Sequence, residues 1–228
     1  LLERLRIRLY RFEATLIAFI TGAGCLSLFI TLLCFAHQAR RGVFLWGGLA
    51  AIGTALWRSR GRPRRRSLPA IPLNWLVPFY LLFTVFFIYY FVNALAPEVS
   101  PDGSGYHLGN VVRIWRNQGF VWGYRSMYSY LSQGTEMLFV VAFSFGRHSA
   151  AAMVHFAFLC TLPLLMVSNG CRFGFPKAAL FAASVIFVSP VVAKDGVSAY
   201  NDLVVATLIY AVFYLLQVWD DHGDPNLL

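Results

Sequence analysis

Apolar residues come in long runs along this chain, separated by short polar or basic stretches. Residues 14–36 form the first run, about 23 residues or roughly 34 Å of helix, enough to cross a bilayer. It reads as a retained helix and not as a cleaved signal peptide, because it is too long for such an apolar segment and no small-x-small site follows. Residues 44–57 form a second run of about 14 residues, roughly 21 Å, which is short for a span. Trp46 and Trp57 near its ends suit membrane interfaces. Residues 73–96 make a third span, with Pro78 in its first turns, where a missing N–H costs least. Three more are expected at residues 149–168, 177–193 and 203–219. The pattern predicts an all-α, polytopic transmembrane bundle of about six spans. Alternating ten-residue strands are absent, so a barrel is not expected.

Between the third and fourth spans lies an outer segment, residues 97–148, with a different pattern. Leu108, Val111, Val112 and Trp115 form one stripe, and Asp102, Tyr106, Asn110, Arg113 and Asn117 form another. These spacings predict an amphipathic helix along the interface, with Asp102 at or just before its start. Residues 137–145 are apolar but too short to span, and read as a juxtamembrane helix. The chain thus divides into an N-terminal hairpin with an Arg-rich loop, residues 1–66, and a transmembrane core, residues 67–228, carrying the outer loop.

Charge orients this scheme. The chain of 228 residues is 58% hydrophobic and carries a net charge of +9. Its basic residues cluster between apolar runs, as the positive-inside rule requires, and do not form a nucleic-acid surface. Arg4, Arg6, Arg8 and Arg11, then the six arginines of residues 58–66, then Arg172 and Lys177, fall on the cytoplasmic side if the short second run crosses. Anionic membrane lipids are their partners. Glu98, Asp102, Glu136, Asp195 and Asp202 then share the opposite face. Cys25, Cys34, Cys160 and Cys171 have no paired spacing and read as small apolar fillers.

Carboxylates at a membrane rim are costly enough to suggest function. Asp102 lies beside Gly103 and Gly105, which permit close backbone approach. Asp202 opens the last run, one short turn after Lys194 and Asp195. Two carboxylates and a cation on one face suit transfer to a hydroxyl or amine, one carboxylate acting as base and the cation neutralising a phosphate. The structural alternative is that both Asp residues are exposed helix N-caps, each worth about 0.5–2 kcal/mol. His107 is a base, a ligand or a hydrogen-bonded helix residue; His148 and His155 read as structural.

The segments PEVSPDGSGYHL, FSFGRHSAA, RFGFPKAALFAASVIFVSP and AYNDLVVATLIY, in that order, resemble the GT-C class of membrane glycosyltransferases. Within that class the chain resembles bacterial members related to protein mannosyltransferases and aminoarabinose transferases. The resemblance covers roughly residues 73–216, and the first two runs precede it. It implies an acidic residue in the first large outer loop, at Asp102, and a second at a later helix start, at Asp202. It further implies a polyprenyl-phosphate sugar donor and inverting transfer outside the cytoplasm, in the bacterial inner membrane. The chain then looks like the front part of such an enzyme.

On this reading Asp102 and Asp202 are catalytic. Tyr106, His107, Arg113, Lys194 and Asp195 bind substrate, with Arg113 or Lys194 meeting the donor phosphate. Use of a divalent metal is left open, and no metal ligands are assigned. The alternative is a non-catalytic subunit of a larger membrane complex that keeps a transferase-like fold. A transporter ranks last, because the charges lie at rims and not at mid-membrane.

Overall fold

A computed structural model describes residues 9–59, 65–123 and 126–222. Its elements are helical, with no strand among the described residues. In order they are α1 (Arg11–Phe35), α2 (Arg41–Ser59), α3 (Leu73–Leu95), a π-helical turn (Gly103–His107), α4 (Leu108–Asn117), a 3-10 turn (Met127–Tyr130), α5 (Gly134–Arg172), α6 (Pro176–Val188), α7 (Pro190–Gly196) and α8 (Asp202–His222). Helices α1, α3, α5 and α8 are long and apolar enough to cross a membrane. A fifth crossing is available if α6 and α7, bent by 66° at Ser189, act as one broken span. Outward faces carry exposed Leu28, Phe29, Ile88, Ile209 and Phe213, side chains suited to lipid. The chain is a helical membrane bundle.

The expected count of six falls to four or five because α2 does not qualify. Arg41 and four glycines dilute its apolar content, and nearly all of its residues are exposed. Even so, the chain returns through α2 to the end where α1 begins. The Arg11 N–H donates to the Arg66 carbonyl at 2.8 Å, so Arg11 and Arg66 share one end of the bundle. Arg4, Arg6, Arg8, Arg60, Arg62 and Arg64 lie outside the described residues.

Helix α5 is the hub. Leu159, Leu162 and Phe156 pack against Tyr90 of α3 and Phe187 of α6. Leu165 packs with Ile17 and Ile20 of α1 and Tyr214 of α8. Its first arm, residues 134–145, packs Met137, Phe139, Val140 and Phe143 against Leu108, Val111 and Ile114 of α4 and Ile30 and Cys34 of α1. The arm breaks from the rest at Gly146 and Arg147, whose φ is +58°. Left-handed backbone at a non-glycine residue is strained. Here the guanidinium offsets that strain by lying over the rings of Trp115, 4.4 Å away, and Phe143. The short apolar run at residues 137–145 is therefore a separate arm, as its length suggests.

One end of the bundle is fastened by a buried ion pair. Glu13 is fully buried and receives Arg172 Nη1 at 2.9 and 3.2 Å. It also accepts the Tyr10 N–H at 2.7 Å and the Tyr214 hydroxyl. The cluster joins α1, α5 and α8.

Candidate functional site

The site lies where two loops meet at the far end of α8. Glu98 makes the junction. Its Oε1 accepts the Ser100 N–H at 2.9 Å and the Ser100 hydroxyl, and its Oε2 accepts the Ala199 N–H at 2.7 Å. One carboxylate thus stitches residues 98–100 to the α7–α8 turn, 101 positions away. Gly103 closes the loop; a Cβ there would sit 2.6 Å from the Glu98 carboxyl carbon. A larger residue there would have to push the Glu98 and Ser100 side chains aside.

The second loop is fixed from below by His155, fully buried in α5. Its Nδ1 faces the Asp195 and Ser198 carbonyls at 3.0 and 2.8 Å, and its Nε2 faces the Leu203 N–H at 3.2 Å. Two carbonyls demand a donor and an N–H demands an acceptor, so the ring is the neutral Nδ1–H tautomer. The Asp195 carboxyl, 3.7 Å from Nε2, is therefore a neighbour and not an ion-pair partner. His155 is structural, as the sequence suggests, and the structure it holds is the acidic turn.

On this frame the acidic residues gather. The Asp195 and Asp202 carboxyls are electrostatic neighbours. Asp102 is exposed, in helical conformation ahead of the π turn, and makes no capping bond. It is thus not an N-cap. Tyr106 lies between the loops, stacked on Tyr128 with ring centres 4.2 Å apart and planes within 7°. Burial, then the charges of Asp102 and Asp202, then Tyr128 and Glu136, push its phenol above the usual tyrosine range. Both carboxylates lie within electrostatic reach of the Tyr106 hydroxyl. His107 is buried against the Tyr106 ring, 4.2 Å away, and near Tyr200 at 5.8 Å. Its Nδ1 meets Glu136 Oε1 of α5 at 2.6 Å.

Of the expected site residues, Asp102, Asp202, Tyr106, His107 and Asp195 are each in ring contact or electrostatic reach of another. Arg113 and Lys194 line two separate pockets that include none of these five. Arg113 bonds Asn110 Oδ1 at 3.2 Å and lines a small pocket of about 70 Å³ with Ser129 and Gln133. Lys194 is exposed and lines a cleft of about 410 Å³ with Phe86, Tyr89, Tyr90 and Asn93 of α3. The π turn accounts for Arg113. It adds a residue to one turn and rotates α4 by about 100° relative to an unbroken helix. The buried stripe becomes His107, Leu108, Val111 and Ile114, with Val112 and Trp115 only half-buried.

Among the described residues no group of three or more His, Cys, Asp or Glu side chains is arranged to hold a metal ion. An apolar groove of about 390 Å³ runs between α1, the first arm of α5 and α8. Ile20, Gly24, Leu138, Phe158, Val204 and Leu208 are among its walls, and it reaches Asn201, beside Asp202. Sequence reasoning missed Glu98, Glu136 and His155 as parts of the site. Comparison of the chain with protein families, characterised proteins and solved structures finds no match.

Proposed function

We propose that this chain carries the reaction site of a GT-C-like membrane glycosyltransferase, moving a sugar from a polyprenyl-phosphate donor to an acceptor on the outer face of a bacterial inner membrane. The observation that carries the reading is the Glu98–Ala199 bond, which draws the Asp102 loop onto the Asp202 turn. Asp102 is exposed at the rim and takes the proton of the acceptor hydroxyl or amine. The acceptor atom attacks the anomeric carbon, the bond from that carbon to the phosphate oxygen breaks, and polyprenyl phosphate leaves with the electron pair. One displacement inverts the anomeric centre.

Asp202, the electrostatic neighbour of Asp195, orients the acceptor. The cations Arg113 and Lys194, each lining a pocket of its own, offer two places for the phosphate. The apolar groove ending at Asn201 suits the isoprenoid chain of such a donor, open to lipid along its length and close to the carboxylates at one end. The test is Asp102→Asn in the full-length protein, reconstituted with polyprenyl-phosphate sugar. General-base loss predicts a fall of about 10²–10⁴-fold in transfer. Unchanged transfer removes the assignment. A wild-type protein that binds no such donor, and purifies only within a larger complex, favours a non-catalytic subunit.

A further inference from the structure

The Glu136 carboxyl is buried, with 4% of its surface exposed, and one contact dominates it: Oε1 to His107 Nδ1 at 2.6 Å. Its Oε2 has no hydrogen-bond partner among the described residues. Glu98 and Glu13, by contrast, spend both oxygens on fastening one segment to another. A carboxyl that ties down no backbone and leaves one oxygen unpaired is a poor staple, and burying it costs stability. What it does serve is one imidazole. That imidazole is walled by the Tyr106 ring on its own segment and the Tyr200 ring of the α7–α8 turn.

We propose that Glu136 is a positioning residue that holds His107 as the Nδ1–H tautomer, so that Nε2 accepts a hydrogen bond from a hydroxyl of the bound sugar or acceptor. A carboxylate on Nδ1 fixes both ring orientation and tautomer, and it strengthens the opposite nitrogen as an acceptor. The inference rests on the transferase reading and names a hydroxyl-recognising element within that site.

The experiment uses full-length protein labelled with ¹⁵N-histidine in nanodiscs. The chain has five histidines, and His107 is assigned by the signal lost in His107→Gln. Its ring nitrogen shifts are expected to report Nδ1–H in the wild type and a tautomer mixture in Glu136→Met. Transfer by Glu136→Met should fall about 10–100-fold, as for lost outer-shell partners elsewhere. Glu136→Asp keeps the charge, retracts it by one methylene, and should fall in between; it replaces Glu136→Met if that variant does not fold. A wild-type His107 carrying its proton on Nε2 overturns the proposal. So does a folded Glu136 variant with unchanged tautomer and unchanged transfer. An absence of sugar transfer by the wild type strikes instead at the transferase reading, whatever the tautomer.

Discussion

Glu98 accepts the backbone N–H of Ala199 at 2.7 Å. That bond links the loop after α3 to the loop before α8, and Asp102 and Asp202 are four residues beyond Glu98 and three beyond Ala199. Glu98→Ala leaves the Ala199 N–H and the Ser100 groups without their acceptor, at a cost of about 1–3 kcal/mol for each one that stays buried. Thermal melting in detergent should show that loss, and transfer should fall with it because the two Asp residues are no longer held together. Glu98→Gln keeps an acceptor oxygen and should cost less on both counts. A melting curve identical to wild type for Glu98→Ala would show that this bond does not hold the two loops together.

The Asp195–Asp202 contact predicts a trade between stability and activity. Two acid side chains this near each other repel when both are charged. Asp195→Asn removes one of the two charges and nearly keeps the side chain's shape. The variant should be more stable by about 0.5–2 kcal/mol, the usual scale when a strained functional feature is relieved. Transfer should fall. A destabilised Asp195→Asn would mean that the carboxylate is needed for the fold.

What the sequence disclosed and what it hid divide along one physical line. Spans at residues 14–36 and 73–96 were legible because an apolar run states its own environment, and α1 and α3 match them closely. Asp102 and Asp202 drew attention because acidic residues at a greasy rim stand out against their neighbours. Glu98, Glu136 and His155 stood out less, because each acts on a partner 29 to 101 positions away. Local periodicity says nothing about which helices meet. The π turn at Gly103–His107 is the subtler miss: a regular stripe from Asp102 to Asn117 assumes 3.6 residues per turn throughout, and one wider turn moves Arg113 off the shared face. The second run misled in another way, since its helix extends to Ser59 yet stays too polar to count as a span.

Tyr106 offers an optical probe of the cluster. Burial raises its phenol above the ordinary range, and the negative charges of Asp102 and Asp202 raise it further. Removing one charge must lower it, so Asp102→Asn should bring the Tyr106 midpoint down in an alkaline titration. Tyrosinate absorbance of each protein, minus that of its Tyr106→Phe counterpart, isolates this one phenol among 11 tyrosines. With a raised midpoint in the fold, the neutral phenol costs nothing below the usual tyrosine range. Stability is then lost as pH climbs above that range, because the unfolded chain ionises first. Tyr106→Phe should blunt that alkaline loss. A midpoint unmoved by Asp102→Asn would place Asp102 away from Tyr106.

The Glu13–Arg172 pair at the opposite end predicts a change in stability without a change in chemistry. Tyr214, which also bonds Glu13, is twelve residues from Asp202 along α8, about 18 Å. Glu13→Leu leaves the Arg172 guanidinium buried beside the Tyr10 and Phe173 rings without its carboxylate, and Arg172→Met leaves Glu13 buried without its cation. Breaking a buried pair from one side typically costs about 3–5 kcal/mol, whereas replacing both partners by apolar groups is often close to neutral. The double variant should therefore melt nearer the wild type than either single one, and a double-mutant cycle should return a large favourable coupling. KM for the sugar donor should be unchanged in all three variants, because the carboxylate cluster is held by Glu98 and His155 and not by this clamp. Single variants that melt like the wild type would show that α1, α5 and α8 are held by apolar packing alone.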